Sequence, residues 1–70
     1  MTPGDIIKMP SGRMARYEGG DQYGAQFVYL DDKGQPAKHR SMPDTFCVRS
    51  MRLLALLNDQ VVNGKRDVDA

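Results

Sequence analysis

Apolar and polar positions alternate over three short stretches near the start of the chain, each closed off by turn residues. Ile6-Ile7-Lys8-Met9 follows Gly4-Asp5 and precedes Pro10-Ser11-Gly12. A β-branched pair favours extended backbone, and proline beside a permissive glycine supplies a turn, so a strand is predicted over 6–9. A second strand is predicted over 13–17, with Arg13, Ala15 and Tyr17 on one face and Met14 and Arg16 on the other. Neither face is cleanly apolar, which places this strand at a sheet edge or makes it strongly twisted. Residues 18–24 combine glycines with Glu18 and Asp21 and predict a mobile hairpin loop. Over 25–30, Ala25, Phe27 and Tyr29 share one face and Gln26, Val28 and Leu30 the other. Apolar residues on both faces mark a central, well-covered strand.

Downstream the signals shorten. Asp31-Asp32-Lys33-Gly34-Gln35-Pro36 predicts a turn, since aspartate bonds local backbone and Gly34 is free to take a positive φ. The polar run 37–42 predicts a short edge strand in which Lys38 and Arg40 discourage aggregation, and Pro43-Asp44 predicts another turn. Residues 45–50 form the fifth strand candidate, with Phe46 and Val48 on one face. Ser50 is placed to cap a helix over 51–57, a segment of good helix formers in which Leu53, Leu54 and Leu57 fall on one face. The competing pattern continues the fifth strand through Leu56. Beyond Asn58 the pattern fades: residues 61–66 read either as a small hairpin turned by Asn63-Gly64 or as the end of the helix capped by Gly64. The expected organisation is one domain over 1–64 and a flexible tail over 65–70.

Seventy residues bury only about 60% of their unfolded surface. Domains of this size often need a disulfide, a metal or a partner copy. Cys47 is the single cysteine and His39 the single histidine, which excludes an internal disulfide and a four-ligand Cys/His zinc site. Oligomerisation or an economical β core is left as the means of stabilisation. Cys47 lies in the apolar run Phe46-Cys47-Val48 and is expected to be a small buried hydrophobe in a reducing compartment. The opening Met1-Thr2-Pro3-Gly4 has no basic segment leading into an apolar one, so no secretory signal is expected. The continuous apolar run Leu53 to Leu57 is far short of the ~20 residues that span a bilayer. Together these readings predict a soluble cytoplasmic protein without a membrane partner.

Net charge is +1 and predicts no polyanionic partner by itself. Its distribution is uneven. Lys33, Lys38, Arg40, Arg49 and Arg52 stand against Asp44 alone, whereas after Leu57 the aspartates 59, 67 and 69 stand against Lys65 and Arg66. A basic middle segment with interleaved tyrosines suggests a nucleic-acid surface made of Arg13, Arg16, Tyr17, Lys38, Arg40, Arg49 and Arg52. Tyr23 and Tyr29 are further stacking candidates. A second candidate is an apolar interaction surface of Leu53, Leu56 and Leu57, since these leucines and five methionines exceed what one tiny core hides.

Catalytic chemistry has little to work with. No Gly-x-x-x-x-Gly-Lys or Gly-x-Gly-x-x-Gly unit is present, and Asp31-Asp32 is not followed by acids at calcium-loop spacing. His39 lies between Lys38 and Arg40, a setting for an exposed surface residue rather than the base of a Cys47-His39 dyad. No cofactor and no small-molecule substrate is expected.

The sum of five short strands, a hairpin loop after the second, a tight turn after the third and a short helix near the end resembles an SH3-like barrel. Gly4-Asp5-Ile6-Ile7-Lys8 followed by Pro10-Ser11-Gly12-Arg13 is similar to the Gly-Asp-x-Val-x opening and glycine turn of small bacterial SH3-like proteins, among them KOW-type domains and type II dihydrofolate reductases. Two departures matter. Met14-Ala15-Arg16 replaces the second glycine of KOW domains, and Phe46-Cys47-Val48-Arg49 stands where the reductases carry Val-Gln-Ile-Tyr. The resemblance thus implies an all-β, five-stranded SH3-like barrel of bacteria or their mobile elements, without reductase activity. The expected function is a non-catalytic binding module acting on nucleic acid or a nucleic-acid-associated complex; the alternative is a protein-interaction or homo-oligomeric assembly module.

Overall fold

A computed structural model describes residues 1–62 as six strands and one helix. The elements are β1 (Ile6–Lys8), β2 (Met14–Asp21), β3 (Gly24–Tyr29), β4 (Lys38–His39), β5 (Met42–Pro43), β6 (Thr45–Val48) and α1 (Met51–Asn58). The chain is mostly β, as its alternating pattern predicts. β1-β2-β3-β6 form one antiparallel sheet, and β4-β5 form a separate hairpin. Among the described residues the two sheets do not close into the expected five-stranded barrel. β1 and β6 are the two edges of the larger sheet and do not pair with each other.

β3 is central because both of its faces are apolar enough to be covered. The register Ile7↔Ala15↔Tyr29 and Tyr17↔Phe27↔Phe46 puts all these side chains on one face, since paired residues of an antiparallel ladder point the same way. Ala25 and Val48 complete that face, and Ile7, Ala15, Phe27 and Leu57 are essentially sealed from solvent. A small side chain at Ala15 leaves room between Ile7 and Tyr29. Burying Phe27 contributes about 2–3 kcal/mol, and its ring stacks on Phe46 with centroids 5.1 Å apart. Val28 is also buried but lies on the opposite face, outside that cluster.

β2 departs most from expectation. It is an inner strand between β1 and β3, and it runs through the glycine-rich segment as far as Asp21. The pairing steps from Tyr17↔Phe27 to Gly19↔Gln26, so Glu18 is an extra, bulged residue, and Gly19 takes φ 109° beside it. A bulge keeps the glycines in the ladder and twists the strand. The expected mobile loop over 18–24 therefore contracts to the Gln22-Tyr23 turn, where Asp21 Oδ1 accepts from the Tyr23 N–H at 2.8 Å. Gly24 is replaced only at a cost: its φ is 134°, and a Cβ there would sit 2.7 Å from the Val48 carbonyl oxygen.

The turn over 31–36 forms as predicted. Asp31 Oδ1 accepts from the N–H groups of Lys33 and Gln35, both at 2.9 Å. The polar run after it is a hairpin rather than one strand, and its turn is Arg40-Ser41, not Pro43-Asp44. Both turn residues have positive φ, 54° and 69°, the signs of a type I′ hairpin turn. The helix reading of 51–57 holds, against the continued strand. Ser50 Oγ accepts from the Leu53 N–H at 3.1 Å, and the helix runs one residue further, to Asn58. Leu54 and Leu57 pack inward, but Leu53 turns outward. After the helix, Val61 bridges Ile7. The rest of the predicted 61–66 hairpin, and the 65–70 tail, lie outside the described residues.

Candidate interaction surfaces

The basic residues picked from the sequence are spread by the sheet. β3 and β6 run from a Gly24/Val48 end to a Tyr29/Thr45 end. Arg13 sits at the Tyr29 end, its guanidinium carbon 3.8 Å from the Tyr29 ring centroid and its Nη2 3.4 Å from Asp44 Oδ2. Lys38 and Arg40 belong to the β4-β5 hairpin beyond that same end, both exposed. Arg49 and Arg52 come after β6 at the opposite end, where Arg49 Nε donates to the Tyr23 carbonyl at 3.1 Å. Arg16 lies on the sheet face away from the core and pairs with Glu18 at 2.9 Å. The seven nucleic-acid candidates therefore do not share one face.

Charge pairing reduces what that set offers to an anion. Arg13 and Arg16 already face carboxylates, and half-exposed pairs of this kind contribute roughly 0–1 kcal/mol while neutralising one another. Tyr17 stands on the core face against Phe27, centroids 5.3 Å apart, and Tyr29 is covered by Arg13. Tyr23 is the tyrosine that stays well exposed, at the tip of the β2-β3 hairpin. Its position beside Arg49 makes the Gly24 end the better stacking site of the two.

The apolar candidates divide differently. Leu57 is 1% exposed and belongs to the core, so it is removed from the interaction surface. It faces inward because it lies one helical turn from Leu54, which packs on the same core. Leu53 and Leu56 are 38% and 60% exposed. With Met9, Pro10 and Gln60 they line a shallow groove between α1 and the β1-β2 turn. The alternation pattern does not mark Met9, read as the end of the first strand, or Pro10, read as a turn residue, because neither position carries information about which distant helix it adjoins.

Cys47 is exposed, contrary to expectation. The alternation explains it: Phe46 and Val48 take the core face, so Cys47 points to the other, where Gln26 Nε2 lies 3.3 Å from its sulfur. His39 is in the distant β4-β5 hairpin, paired with Met42, so the ladder holds the two residues at opposite ends of β6 and builds no dyad. Among the described residues no three of His, Cys, Asp and Glu gather in a metal-binding arrangement, and no helix is long and apolar enough to cross a membrane.

The two edges of the main sheet differ in how their backbone is satisfied. Beside β1, the Lys8 N–H donates to the Gln60 carbonyl at 3.1 Å and the Val62 N–H donates to the Ile6 carbonyl at 2.9 Å. Just before β6, the Tyr29 N–H donates to the Asp44 carbonyl at 2.9 Å, which fixes the alternation: the Asp44 carbonyl and the backbone groups of Phe46 and Val48 are directed to β3, and those of Thr45 and Cys47 outward. Among the described residues nothing pairs with that outer side. Comparison with family models, with curated proteins and with solved structures finds no match to this chain.

Proposed function

We propose that this protein is a small, non-catalytic binding module on an SH3-like plan, and that its partner is a protein surface. The plan is supported by the connectivity: a hairpin joins β2 and β3, a short helix comes after the last strand, and the chain then returns to bridge β1 at Val61. Protein contact is supported chiefly by one observation, the exposure of Leu53 and Leu56 next to Met9 and Pro10. An eight-residue helix that buries Leu57 and packs a half-buried Leu54 on the core has no packing need for two more outward leucines. Each such residue, if covered on binding, contributes about 1.5–3 kcal/mol.

The nucleic-acid reading keeps one observation in its favour. Arg49 and Tyr23 form a basic and aromatic pair at one end of the sheet, with Arg52 nearby in sequence. Two measurements separate the readings. Anisotropy of labelled single-stranded DNA, duplex DNA and RNA at low and near-physiological salt is expected to show no salt-dependent binding. Binding that falls steeply with salt, and weakens in Arg49→Ala, makes nucleic acid the partner instead. Affinity capture is expected to retain a defined protein on the wild-type chain and lose it on the folded Leu53→Ser/Leu56→Ser variant. Equal capture by both moves the surface elsewhere.

A further inference from the structure

We infer that the outer edge of β6 pairs with β6 of a second copy, antiparallel, continuing the four-stranded sheet across a two-fold axis at Phe46. The inference goes beyond the helix groove of the proposed function and uses a different surface.

Three observations carry it. The first is the edge itself: Thr45 and Cys47 each direct one N–H and one carbonyl away from β3, these groups meet no backbone partner among the described residues, and both residues are exposed. The second is the absence of protection among the described residues. Sheet edges are commonly blunted by charges, proline, bulges or a covering segment. β1 has Lys8 and the covering residues Gln60 to Val62, and the β4-β5 hairpin has Lys38 and Pro43. Thr45-Phe46-Cys47-Val48 has no charge, no proline and no bulge. The third is self-complementarity. In an antiparallel pair centred on Phe46, Thr45 stands opposite Cys47 of the partner subunit and Cys47 opposite Thr45 of the partner subunit. Every outward donor then meets an outward acceptor, giving four hydrogen bonds, while Phe46 meets its own copy in the closer, non-hydrogen-bonded position.

The same register brings charge and apolar surface together. Arg49 falls opposite Pro43 of the partner subunit, next to that copy's Asp44, a residue whose carboxylate already reaches a guanidinium at 3.4 Å. Tyr23, tethered to Arg49, and Met42 are the exposed apolar residues at the two ends of this edge. Antiparallel pairing sets the Tyr23 end of one copy against the Met42 end of the other. A shift of the axis to Thr45 or to Cys47 keeps the parity but loses the match between the two outward pairs of β6.

Sedimentation of the full chain from micromolar to millimolar concentration tests the pairing directly, with a doubling of average mass expected. A monomer throughout overturns it, and leaves the helix groove untouched as a partner site. Cys47→Pro removes an outward N–H without touching the β3 ladder, and Thr45→Lys adds an edge charge. Both are expected to keep the wild-type circular dichroism and weaken association at least tenfold. A dimer that persists in both folded variants overturns the edge as its site. The register is read by oxidation: Thr45→Cys is expected to give a disulfide-linked dimer through Cys47 of the partner subunit, because directly opposed residues lie within disulfide range. Cross-linking of the wild-type chain through Cys47 alone overturns the axis at Phe46.

Discussion

The two edges of the main sheet meet the same physical demand in opposite ways. β1 is only three residues long, yet its outward groups are used, because α1 carries the chain back over the core and lays residues 60–62 beside it. β6 is four residues long and its outward groups meet no other part of the described chain. The path of the chain makes the difference. On leaving β6 it turns into a helix capped by Ser50 and crosses the core face, so residues 51–62 lie over the core and beside β1 rather than along the edge just left. The buried Leu57 anchors the helix on the core just before the residues that cover β1.

Leu57 is where that comparison breaks most easily. Leu57→Ala is expected to cost about 2–5 kcal/mol in urea or thermal unfolding, a large part of the stability of so small a domain. It should also release residues 60–62 from β1, seen as faster exchange of the Lys8 amide. A loss under about 1 kcal/mol would mean that the helix is not what holds the covered edge.

Gly24→Ala probes the other side, since Gly24 lets the β2-β3 hairpin approach Val48 at the end of β6. The positive φ and the close carbonyl together predict a loss of about 2 kcal/mol, checked by the same unfolding measurement. An unchanged midpoint would show that the hairpin end has room the packing denies.

Amide exchange compares the edges without mutation. In dilute protein the Lys8 amide is expected to exchange roughly five- to tenfold more slowly than those of Thr45 and Cys47, the effect of one hydrogen bond worth about 1 kcal/mol. Equal rates would erase the distinction. Protection of Thr45 and Cys47 that grows with concentration would sharpen it into pairing between copies.

The smallest effect belongs to the hairpin beside the open edge. Arg40 and Ser41 adopt positive φ without the glycine or asparagine that such a turn favours. Ser41→Gly is therefore expected to stabilise by a few tenths of a kcal/mol up to about 1 kcal/mol, raising the melting temperature slightly. A fall would place Ser41 in a contact that the φ angle does not report.

Much of the local structure is legible in the residues. The alternation over 25–30 marks β3 and assigns its two faces, Ser50 marks the start of α1, and Asp31 with Gly34 marks the turn. Where the local pattern misleads, the cause is a pairing between distant residues. The glycines after Glu18 look like a loop until a bulge lets β3 pair with them as strand. Cys47 looks buried until Phe46 and Val48 claim the core face. Arg13, Arg16 and Arg49 look like one basic surface until the register sends them to different ends and faces.

The sequence by itself determined a mostly β chain with a cap signal at Ser50, because alternation, turn residues and caps act over a few neighbouring positions; the structure then selected the helix over a continued fifth strand. Only the tertiary structure decided that Leu57 is core while Leu53 and Leu56 are surface, that the basic residues are dispersed, and that, among the described residues, one sheet edge is covered while the other is open. Those outcomes depend on register and on where the helix lands, which are set by contacts between residues far apart in the chain.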